Sequence, residues 1–578
     1  MAKTLRKTAK PGLKNGSKPL ANSPSAESGA HPHIGDVRSF KRFPGALAPG
    51  FLVTAFLLGF ALLIFGHILL LPQTQATAFF DEKIWRILQF TLFQASLSTL
   101  LSIAIGLAIA WGLYHQRAFM GRSWLITLFS SALVLPTLVA VLGLVSVFGR
   151  RGWANQLIQS VGGEGFGAII YGLAGILIAH VYFNASYSAR ALLNRFETIP
   201  AQKLKLARSL GLSFWQRFKF VEWPAVRSTL PGLAATIFLL CFTSFAIVLV
   251  LGGSPKYNTL EVAIFEAVKL DFDLGRALGL ALTQVFVCAL VVAVAANFRA
   301  TSTNIAREQH AFMWPETPGA QILQWGFIGF GAIGFIAPLA AVILDGLQAD
   351  FVRLIGERTF QQAAFTSLFL AAISSTLTVL CALAMANARR TLSTPSRISA
   401  SSLTTFLDRI IAFAGTLYLA IPSLVLGLGF FLIARQSPGS LKFWAVIALI
   451  TANVLMALPF ALAILVPAME KTALRFDKLC FSLGVRGGAR WRLAEWPLLK
   501  SDIFYVAALA FCISLGDLGV IALFGSQDFA TLPWLLYQKM GSYRTDDAAG
   551  IALILLVLIL IVFAGLPKLF EGKKNAAP

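Results

Sequence analysis

The stretch "KLARSLGLSFWQRFKFVEWP" at residues 205–224 returns further along the chain as "KLCFSLGVRGGARWRLAEWP" at residues 478–497. Aligned without a gap on Gly211 and Gly484, an offset of 273 positions, the two stretches share nine of their twenty residues. Both are basic and of mixed polarity, whereas the long stretches on either side hold hardly a charge. The duplication predicts a chain made of two related halves, each with one polar segment between apolar runs.

The composition places the chain among membrane proteins. Of 578 residues, 57% are hydrophobic and 13% are charged, and the mean hydropathy is +0.74, whereas soluble domains are about 45–50% apolar. A helix that crosses a bilayer needs about 20 mostly apolar residues. Twelve such runs are predicted, at 46–71, 88–114, 123–148, 166–186, 228–252, 276–297, 323–345, 362–388, 407–435, 442–467, 502–524 and 548–570. We therefore expect an all-α polytopic membrane protein.

The repeat extends beyond the two polar segments. "QASLSTLLSIAIGLAIA" at residues 94–110 is similar to "LAAISSTLTVLCALAMA" at residues 370–386, an offset of 276. Further matches at an offset of 272 pair Gly253, Ser254, Thr259 and Leu260 with Gly525, Ser526, Thr531 and Leu532. The chain is predicted to be two tandem six-helix halves. Six spans separate equivalent positions, so the halves are parallel repeats and both polar segments face the same side.

This repeat divides the chain into parts. The prediction is a disordered basic tail at 1–45, a first half at 46–300 with its polar loop at 187–227, a linker at 301–322, a second half at 323–570 with its polar loop at 468–500, and a C-terminal tail at 571–578. The first apolar run is expected to be an uncleaved span, because it is too long for the apolar core of a signal peptide.

Positive charge sets the expected orientation. The net charge of the chain is +22. Its Lys and Arg residues lie in the N-terminal tail and in short loops between apolar runs. This placement indicates membrane topology rather than nucleic-acid binding. Residues 1–45 carry nine Lys or Arg and two acids. By the positive-inside bias, the tail, the linker and both polar loops are cytoplasmic, and both termini lie inside. Arg150 and Arg151 fall on the opposite side and disagree with this assignment.

Each polar segment has an internal order. Pro200 can open a helix over residues 201–210, and Gly211 can close it in the left-handed conformation that glycine tolerates best. An amphipathic piece follows, in which aromatic residues alternate with charged ones up to Pro224. Such a helix would lie at the membrane surface and present one face to a cytoplasmic partner. A simple interfacial belt is the alternative, and its repetition in the same register argues against it.

The spacing of these residues resembles the cytoplasmic loop of importer-type ABC permeases. That pattern is Glu-Ala-Ala, three residues, Gly, nine residues, then Ile-x-Leu-Pro. The resemblance rests on the positions of Gly211 and Pro224, and in the second copy on those of Gly484 and Pro497. The candidate coupling residues are these four together with Lys205, Ala207, Glu222, Lys478 and Glu495. The resemblance implies that these residues couple the permease to an ATPase. The chain departs from the pattern at its leading Glu, which is Lys in both copies.

Two further stretches narrow the resemblance. "LCFTSFAIVLVLGGSPKYNTLEVAIFEAV" at 240–268 and "SLGDLGVIALFGSQDFATLPWLLYQKMGSYRTDDAA" at 514–549 are similar to the corresponding regions of the ThiP-type permease family. The resemblance implies transport of thiamine or thiamine pyrophosphate, an ATP-binding partner in two copies, a periplasmic substrate-binding protein and a bacterial inner-membrane location. Fused two-half permeases for ferric iron, or for another small solute, remain the alternative.

The chain lacks the means to hydrolyse ATP by itself. The phosphate-binding pattern G-x-x-x-x-G-K-[ST] does not occur, and "GLKNGSK" at residue 12 has the wrong spacing. Hydrolysis is therefore expected on a separate chain. No cofactor, metal site or catalytic residue is predicted, because the six His residues form no ligand pattern and no acid/base or nucleophile group stands out. A membrane enzyme is thus disfavoured.

A secondary transporter of the major-facilitator type is the more distant alternative, since twelve spans in two parallel halves also describe that class. In this chain the loop after the second predicted span, "LYHQRAFMGR" at residues 113–122, lacks the Gly and Asp of the major-facilitator signature. Secondary transporters also usually show charged groups inside their spans, whereas here Asp517 is the clear intramembrane carboxylate.

The predicted substrate path is Ser244, Ser514 and Asp517. An intramembrane acid is costly unless it faces a cavity or a partner, and the thiazolium cation of thiamine is one group that Asp517 could attract. The alternative is a structural carboxylate near a helix end. His180 and Gln284 also interrupt apolar spans, and both are expected to bridge helices.

Overall fold

The computed structural model describes residues 44–70, 82–296, 316–393, 402–485 and 487–570. Within these residues the chain is helical and contains no strand. The predicted tails up to residue 43 and beyond residue 570, and residues 301–315 of the predicted linker, lie outside the described residues.

The first part of the chain runs through thirteen helices. They are α1 Pro44–Leu70, α2 Glu82–His115, α3 Arg122–Ser130, α4 Thr137–Phe148, α5 Trp153–Ser160, α6 Leu173–Phe196, α7 Ala201–Ser209, α8 Phe214–Arg217, α9 Trp223–Arg227, α10 Leu230–Phe242, α11 Phe245–Leu251, α12 Leu260–Lys269 and α13 Leu274–Ala296.

The second part runs through eleven helices. It contains α14 Pro318–Gly346, α15 Phe351–Gly356, α16 Arg358–Ser393, α17 Ser402–Leu417, α18 Ser423–Gln436, α19 Leu441–Ser482, α20 Gly487–Arg490, α21 Trp496–Gly516, α22 Gly519–Phe524, α23 Leu532–Gly541 and α24 Thr545–Phe570. Two π-helical turns stand at equivalent places, Phe218–Glu222 before α9 and Trp491–Glu495 before α21.

The all-α polytopic fold is confirmed, but the count of twelve spans is not. Among the described residues nine helices are long and apolar enough to cross a membrane, or ten if the pair around residues 214–242, bent by 58°, forms one span. The predicted run at 407–435 divides into α17 and α18, of 16 and 14 residues, each shorter than the roughly 20 residues that cross a bilayer. The run at 166–186 overlaps α6 only from Leu173 onward, and α6 is not among the nine because polar residues such as Asn184 and Arg190 lower its hydropathy.

Breaks inside the spans fall at related positions. The chain is extended at Ser244 (φ −84°, ψ 96°), between α10 and α11, and at Asp517 (φ −69°, ψ 130°), between α21 and α22. These two residues are separated by the repeat offset of 273. Pro136 and Pro422, which have no N–H to donate, precede two other short helices, α4 and α18. The breaks explain why runs of unbroken hydropathy are divided in the structure.

The two parts of the chain interlock through their first helices. Helix α1 packs on α16, α17 and α18, whereas α14 packs on α2 and α4. The Tyr418 hydroxyl donates to the Leu57 carbonyl of α1 (2.7 Å). In the opposite direction, the Gln116 amide donates to the Gln324 side chain of α14 (2.7 Å). Each part of the chain therefore holds the first helix of the other.

Candidate functional site

The first polar segment, residues 205–224, contains the end of α7 and a tight turn. Gly211 has φ 64°, so the chain leaves α7 in the left-handed conformation, as predicted. The Gly211 N–H donates to the Arg208 carbonyl (3.0 Å) and the Leu212 N–H donates to the Ala207 carbonyl (3.1 Å). This pair of bonds satisfies the last carbonyls of the helix and fixes the turn.

The second polar segment, residues 478–497, repeats this turn at the end of α19. Gly484 has φ 66°. Its N–H donates to the Phe481 carbonyl (3.1 Å), and the Val485 N–H donates to the Cys480 carbonyl (2.9 Å). The predicted left-handed glycine is thus confirmed in both copies, and the two turns have the same hydrogen-bond pattern.

A π-helical turn follows in each segment and leads into a Trp-Pro pair. Pro224 and Pro497 occupy the beginning of the next helix. A proline has no N–H, and its ring collides with the carbonyl four residues earlier in a regular α-helix. The wider turns at Phe218–Glu222 and Trp491–Glu495 move that carbonyl away, so each segment can continue as a helix.

Buried ion pairs hold the first segment to the end of α2. The Glu222 carboxylate, fully buried, lies 2.8 Å from Arg217 Nε and 3.2 Å from His115 Nε2. The Trp111 indole donates to the other oxygen of Glu222 (3.0 Å). Arg217 is also buried. Because a buried charge is costly without partners, these contacts fix the segment relative to α2.

The second segment has an equivalent acid and arginine. Glu495 accepts from Arg490 Nε (2.8 Å) and from Arg390 Nη1 (2.6 Å) of α16. Arg390 and Arg490 both also pair with Asp477. Arg217 and Arg490 are related by the offset of 273 and were among the nine identities of the two stretches. That identity was the signal for both arginines, which sequence reasoning passed over.

The predicted coupling residues divide between the surface and the interior. Six are exposed, namely Lys205, Gly211, Pro224, Lys478, Gly484 and Pro497, and three are buried, namely Ala207, Glu222 and Glu495. The buried glutamates therefore shape the segments from inside.

Exposed leucines accompany the glycines in both copies. Leu206 and Leu210 are exposed in the first segment, and Leu479 and Leu483 occupy the same positions, at the offset of 273, in the second. Single exposed apolar side chains are common on protein surfaces, but a repeated pair beside a fixed turn forms an apolar face suited to a partner protein. Sequence reasoning missed this face because the sequence of a short helix does not show which of its leucines are exposed.

The broken-helix region, where α21 gives way to α22, contains Asp517. Its Oδ1 accepts from the Gly519 N–H (3.2 Å) and its Oδ2 accepts from the Val520 N–H (3.4 Å). The carboxylate therefore caps the start of α22. Ser244 precedes α11 at the equivalent break, where its side chain makes no cap.

The starts of two other short helices lie beside the glycines that flank Asp517. A Cβ added to Gly516 would lie 3.3 Å from the Cα of Pro136, the residue before α4, so the two backbones pack closely. A side chain at Gly519 would collide with Ser423 of α18. Ser514 lies one turn earlier and accepts from the Asn453 amide of α19 (2.8 Å). The structure thus brings Asp517 and Ser514 to one region where helices from both parts of the chain end.

A second buried acid, Glu261 of α12, was missed by the sequence analysis. It is fully buried, and the Gln284 amide donates to its Oε1 (2.8 Å). Its Oε2 has no hydrogen-bond partner among the described residues, and α12 packs against α22, the helix that begins after Asp517. Glu261 escaped notice because it lies between two of the predicted spans, in a short helix whose burial the sequence does not reveal.

The expected helix bridges are confirmed. His180 Nδ1 lies 2.9 Å from the Ser98 hydroxyl and joins α6 to α2, and Gln284 joins α13 to α12 through Glu261. Over the part of the chain that the structure describes, no group of three His, Cys, Asp or Glu side chains is arranged to hold a metal ion.

Comparison with known proteins identifies the family of this chain. No protein-family model matches the chain. The chain is 39% identical over 544 residues to the thiamine transport system permease protein ThiP of Brucella abortus (strain 2308), covering 93% of this chain and 96% of that relative. The chain belongs to the ThiP family of transport permeases. The ThiP protein of Escherichia coli (strain K12) is 38% identical over 532 residues, covering 91% of this chain and 97% of the relative.

The predicted resemblance to the ThiP family is confirmed, and with it the assignment of the chain as a multi-pass permease subunit of an ABC transporter. The molybdenum transport system permease protein ModB of Azotobacter vinelandii is 30% identical over 184 residues, which cover 32% of this chain and 80% of that relative. These relatives give no support to the ferric-iron or secondary-transporter alternatives.

Proposed function

We propose that this ThiP-family chain is the membrane subunit of an ATP-driven thiamine importer in a bacterial inner membrane. The observation that carries the proposal is the 39% identity to a thiamine transport system permease over 93% of the chain. The repeated, anchored polar segments support it, because an importer whose membrane subunit lacks an ATP site needs a fixed place where an ATPase can act.

We propose further that one ATP-binding subunit docks on each polar segment. The docking face comprises the exposed leucines at 206, 210, 479 and 483 together with Lys205 and Lys478. Glu222 and Glu495 act from within by holding each segment to the membrane helices. A periplasmic binding protein would deliver substrate at the opposite side, and residues 46–300 and 323–570 would move relative to each other as two halves.

The substrate path of this proposal runs past Ser244, Ser514 and Asp517. Thiamine carries a fixed positive charge on its thiazolium ring, and Asp517 lies at a helix break of the second half whose counterpart in the first half is at Ser244. Broken helices inside a membrane protein commonly line a substrate route, since irregular backbone there is tolerated only within protein or along a cavity. The nearby Glu261 carboxyl adds to the negative potential of this region when it is ionised.

The importer proposal is tested with three preparations: the purified chain alone, the chain with its ATPase, and the chain with ATPase and binding protein reconstituted in vesicles. We expect no ATP hydrolysis by the chain alone, and thiamine or a thiamine phosphate as the ligand of the co-purified binding protein, identified by mass spectrometry. Thiamine uptake into the vesicles should require ATP on the side of the membrane where the ATPase is bound. A binding protein loaded with ferric iron, or uptake without ATP, would refute the proposal.

The proposed orientation places residues 1–45, 187–227 and 468–500 in the cytoplasm. Ser209 and Ser482 are exposed at the ends of α7 and α19. We expect Ser209→Cys and Ser482→Cys to resist a membrane-impermeant thiol reagent applied to intact spheroplasts, and to react once the membrane is opened.

A matched control is Ser160→Cys, because Ser160 is exposed at the end of α5 and falls on the outer side in the same orientation. It should react in intact spheroplasts. Background labelling should be low, because four of the five native cysteines are buried. Reaction of position 209 or 482 from outside would reverse the orientation.

A further inference from the structure

Two aromatic residues, at equivalent places in the two halves, have a backbone conformation that bulky side chains rarely adopt. Phe272 has φ 53° and Tyr543 has φ 59°, and no other residue except glycine has a positive φ in the part of the chain that the structure describes. Bulky residues are outliers in this left-handed region. The separation of 271 positions differs by one from the offset of 272 in the matches just before them. The same unusual conformation therefore occurs once in each half.

Hydrogen bonds hold Phe272 in the turn after α12. The Asp271 N–H, just before Phe272, donates to the Glu266 carbonyl (3.0 Å). The Asp273 N–H, just after it, donates to the Ala267 carbonyl (2.8 Å). The turn therefore closes the end of α12 with the aromatic residue at its tip.

The turn after α23 is closed in a similar way around Tyr543. Its own N–H donates to the Met540 carbonyl (3.3 Å), and the Arg544 N–H donates to the Lys539 carbonyl (3.1 Å). Glycine commonly occupies the left-handed position of such a turn. Each half thus has a strained aromatic residue where the turn itself favours glycine.

Both turns lie far from the polar segments. The Leu260 N–H, which begins α12, donates to the Thr91 hydroxyl near the start of α2 (3.2 Å), and the Leu532 N–H, which begins α23, donates to the Ser367 hydroxyl near the start of α16 (2.7 Å). The last turns of α2 and α16 contact the polar segments. With 34 and 36 residues, each of these helices is about 50 Å long. In the proposed orientation the two aromatic residues are therefore on the outer side, immediately before the spanning helices α13 and α24.

The surroundings of the two aromatic residues are polar. Phe272 is 80% exposed and Tyr543 is 92% exposed, and their neighbours Asp271, Asp273 and Arg544 are also exposed. Charged side chains are costly in hydrocarbon, so both tips stand outside the acyl chains of the bilayer. An exposed aromatic side chain contributes little to packing within the chain, and backbone strain that packing does not explain is typical of binding positions.

We propose that Phe272 and Tyr543 are the two anchors on which the periplasmic binding protein docks, one for each of its domains. Binding proteins of this kind close two domains around their ligand by a hinge movement. One anchor on each half, held by a closed turn, provides two fixed contact points for the two domains of the loaded protein. Aromatic side chains with few rotatable bonds are common anchors of protein interfaces. This inference rests on the proposed function, in which a binding protein delivers substrate at the outer side.

The test replaces the two aromatic residues by glycine, which adopts a positive φ without strain. Phe272→Gly and Tyr543→Gly, singly and together, are reconstituted with ATPase in lipid nanodiscs, and the affinity of thiamine-loaded binding protein is measured. We expect each single variant to weaken this affinity by about ten-fold, the size of an interface anchor, and the pair to weaken it further. Thermal stability in detergent should not fall, because glycine retains both turns.

A matched control is Trp124→Ala, which removes an exposed aromatic side chain from α3, near the polar-segment side of the membrane. It should leave the affinity for the binding protein unchanged. If the aromatic residues contact only lipid headgroups, the glycine pair will bind the binding protein normally and lose thermal stability in nanodiscs, and that result would overturn the proposal. An effect confined to one of the two positions would also overturn it, since each half must supply an anchor.

A second pair of variants covers failure of the glycine pair to assemble. Phe272→Asn with Tyr543→Asn keeps residues that tolerate the left-handed conformation and removes both aromatic rings. Affinity equal to that of the wild type in this pair would overturn the proposal, whereas a loss would support it. A wild-type complex that binds no binding protein refutes the proposed function itself, while a wild-type complex that binds one normally leaves that function intact whatever the variants show.

Discussion

Replacing both Gly211 and Gly484 by aspartate should abolish ATP-driven uptake and leave folded protein in the membrane. Both glycines are exposed, and a Cβ built at either one meets no atom within 4 Å. Aspartate is also among the residues that best tolerate a positive φ. The substitution therefore adds two negative side chains to the proposed docking face with limited damage to the fold, and we expect uptake to fall by more than about ten-fold, the effect of about 1.4 kcal/mol of lost docking energy.

Two control pairs separate docking from backbone strain. Gly211→Asn with Gly484→Asn adds side chains of similar size without charge, and asparagine also tolerates the left-handed conformation. Gly211→Val with Gly484→Val forces a β-branched residue into φ values of 64° and 66°, which are outliers for such residues. The measurements are ATPase binding to the purified chain, uptake in vesicles, and thermal stability in detergent.

The pattern of losses identifies the cause. Loss of ATPase binding in the aspartate pair with normal thermal stability supports docking. Loss in the valine pair alone would mean that the turn geometry matters and that the surface around it does not. Uptake at the wild-type rate by the aspartate pair would remove the polar segments from the transport mechanism altogether.

The sequence predicted best what depends on local chemistry. The left-handed turns at Gly211 and Gly484 follow from helix termination, which involves only a few neighbouring residues. The hydropathy that predicts spans is likewise local, so the helical class was recognised. The breaks at Ser244 and Asp517 were not, because an average over many apolar residues is insensitive to one or two extended residues within it.

What required the structure is contact between distant parts of the chain. Glu316 reaches Arg217 across 99 positions of sequence, and no local pattern marks it as a partner. The burial of Glu222 depends on Trp111 and His115, which belong to a different helix. Glu261 has the sequence context of an ordinary amphipathic helix, and only packing reveals that it is enclosed beside Gln284.

Asp517→Asn should weaken thiamine uptake per folded molecule and leave thermal stability nearly unchanged. Asparagine caps helices about as well as aspartate, and its side-chain oxygen can still accept from the Gly519 N–H, so the start of α22 is retained while the charge is lost. One charge pair is worth about 1–4 kcal/mol at an effective dielectric constant of 20–80. If the pair acts in the limiting step, uptake falls roughly five-fold to several hundred-fold.

Asp517→Ala provides the comparison that decides between a cation-attracting and a structural carboxylate. Alanine removes both the charge and the two bonds to the Gly519 and Val520 N–H groups, and loss of a helix cap costs about 0.5–2 kcal/mol. A charge that attracts substrate predicts equal losses of uptake in the two variants, with reduced stability in alanine alone. A structural carboxylate predicts that uptake per folded molecule stays normal in the asparagine variant, and that result would exclude Asp517 from the substrate path, because the charge is the one property that asparagine fails to supply.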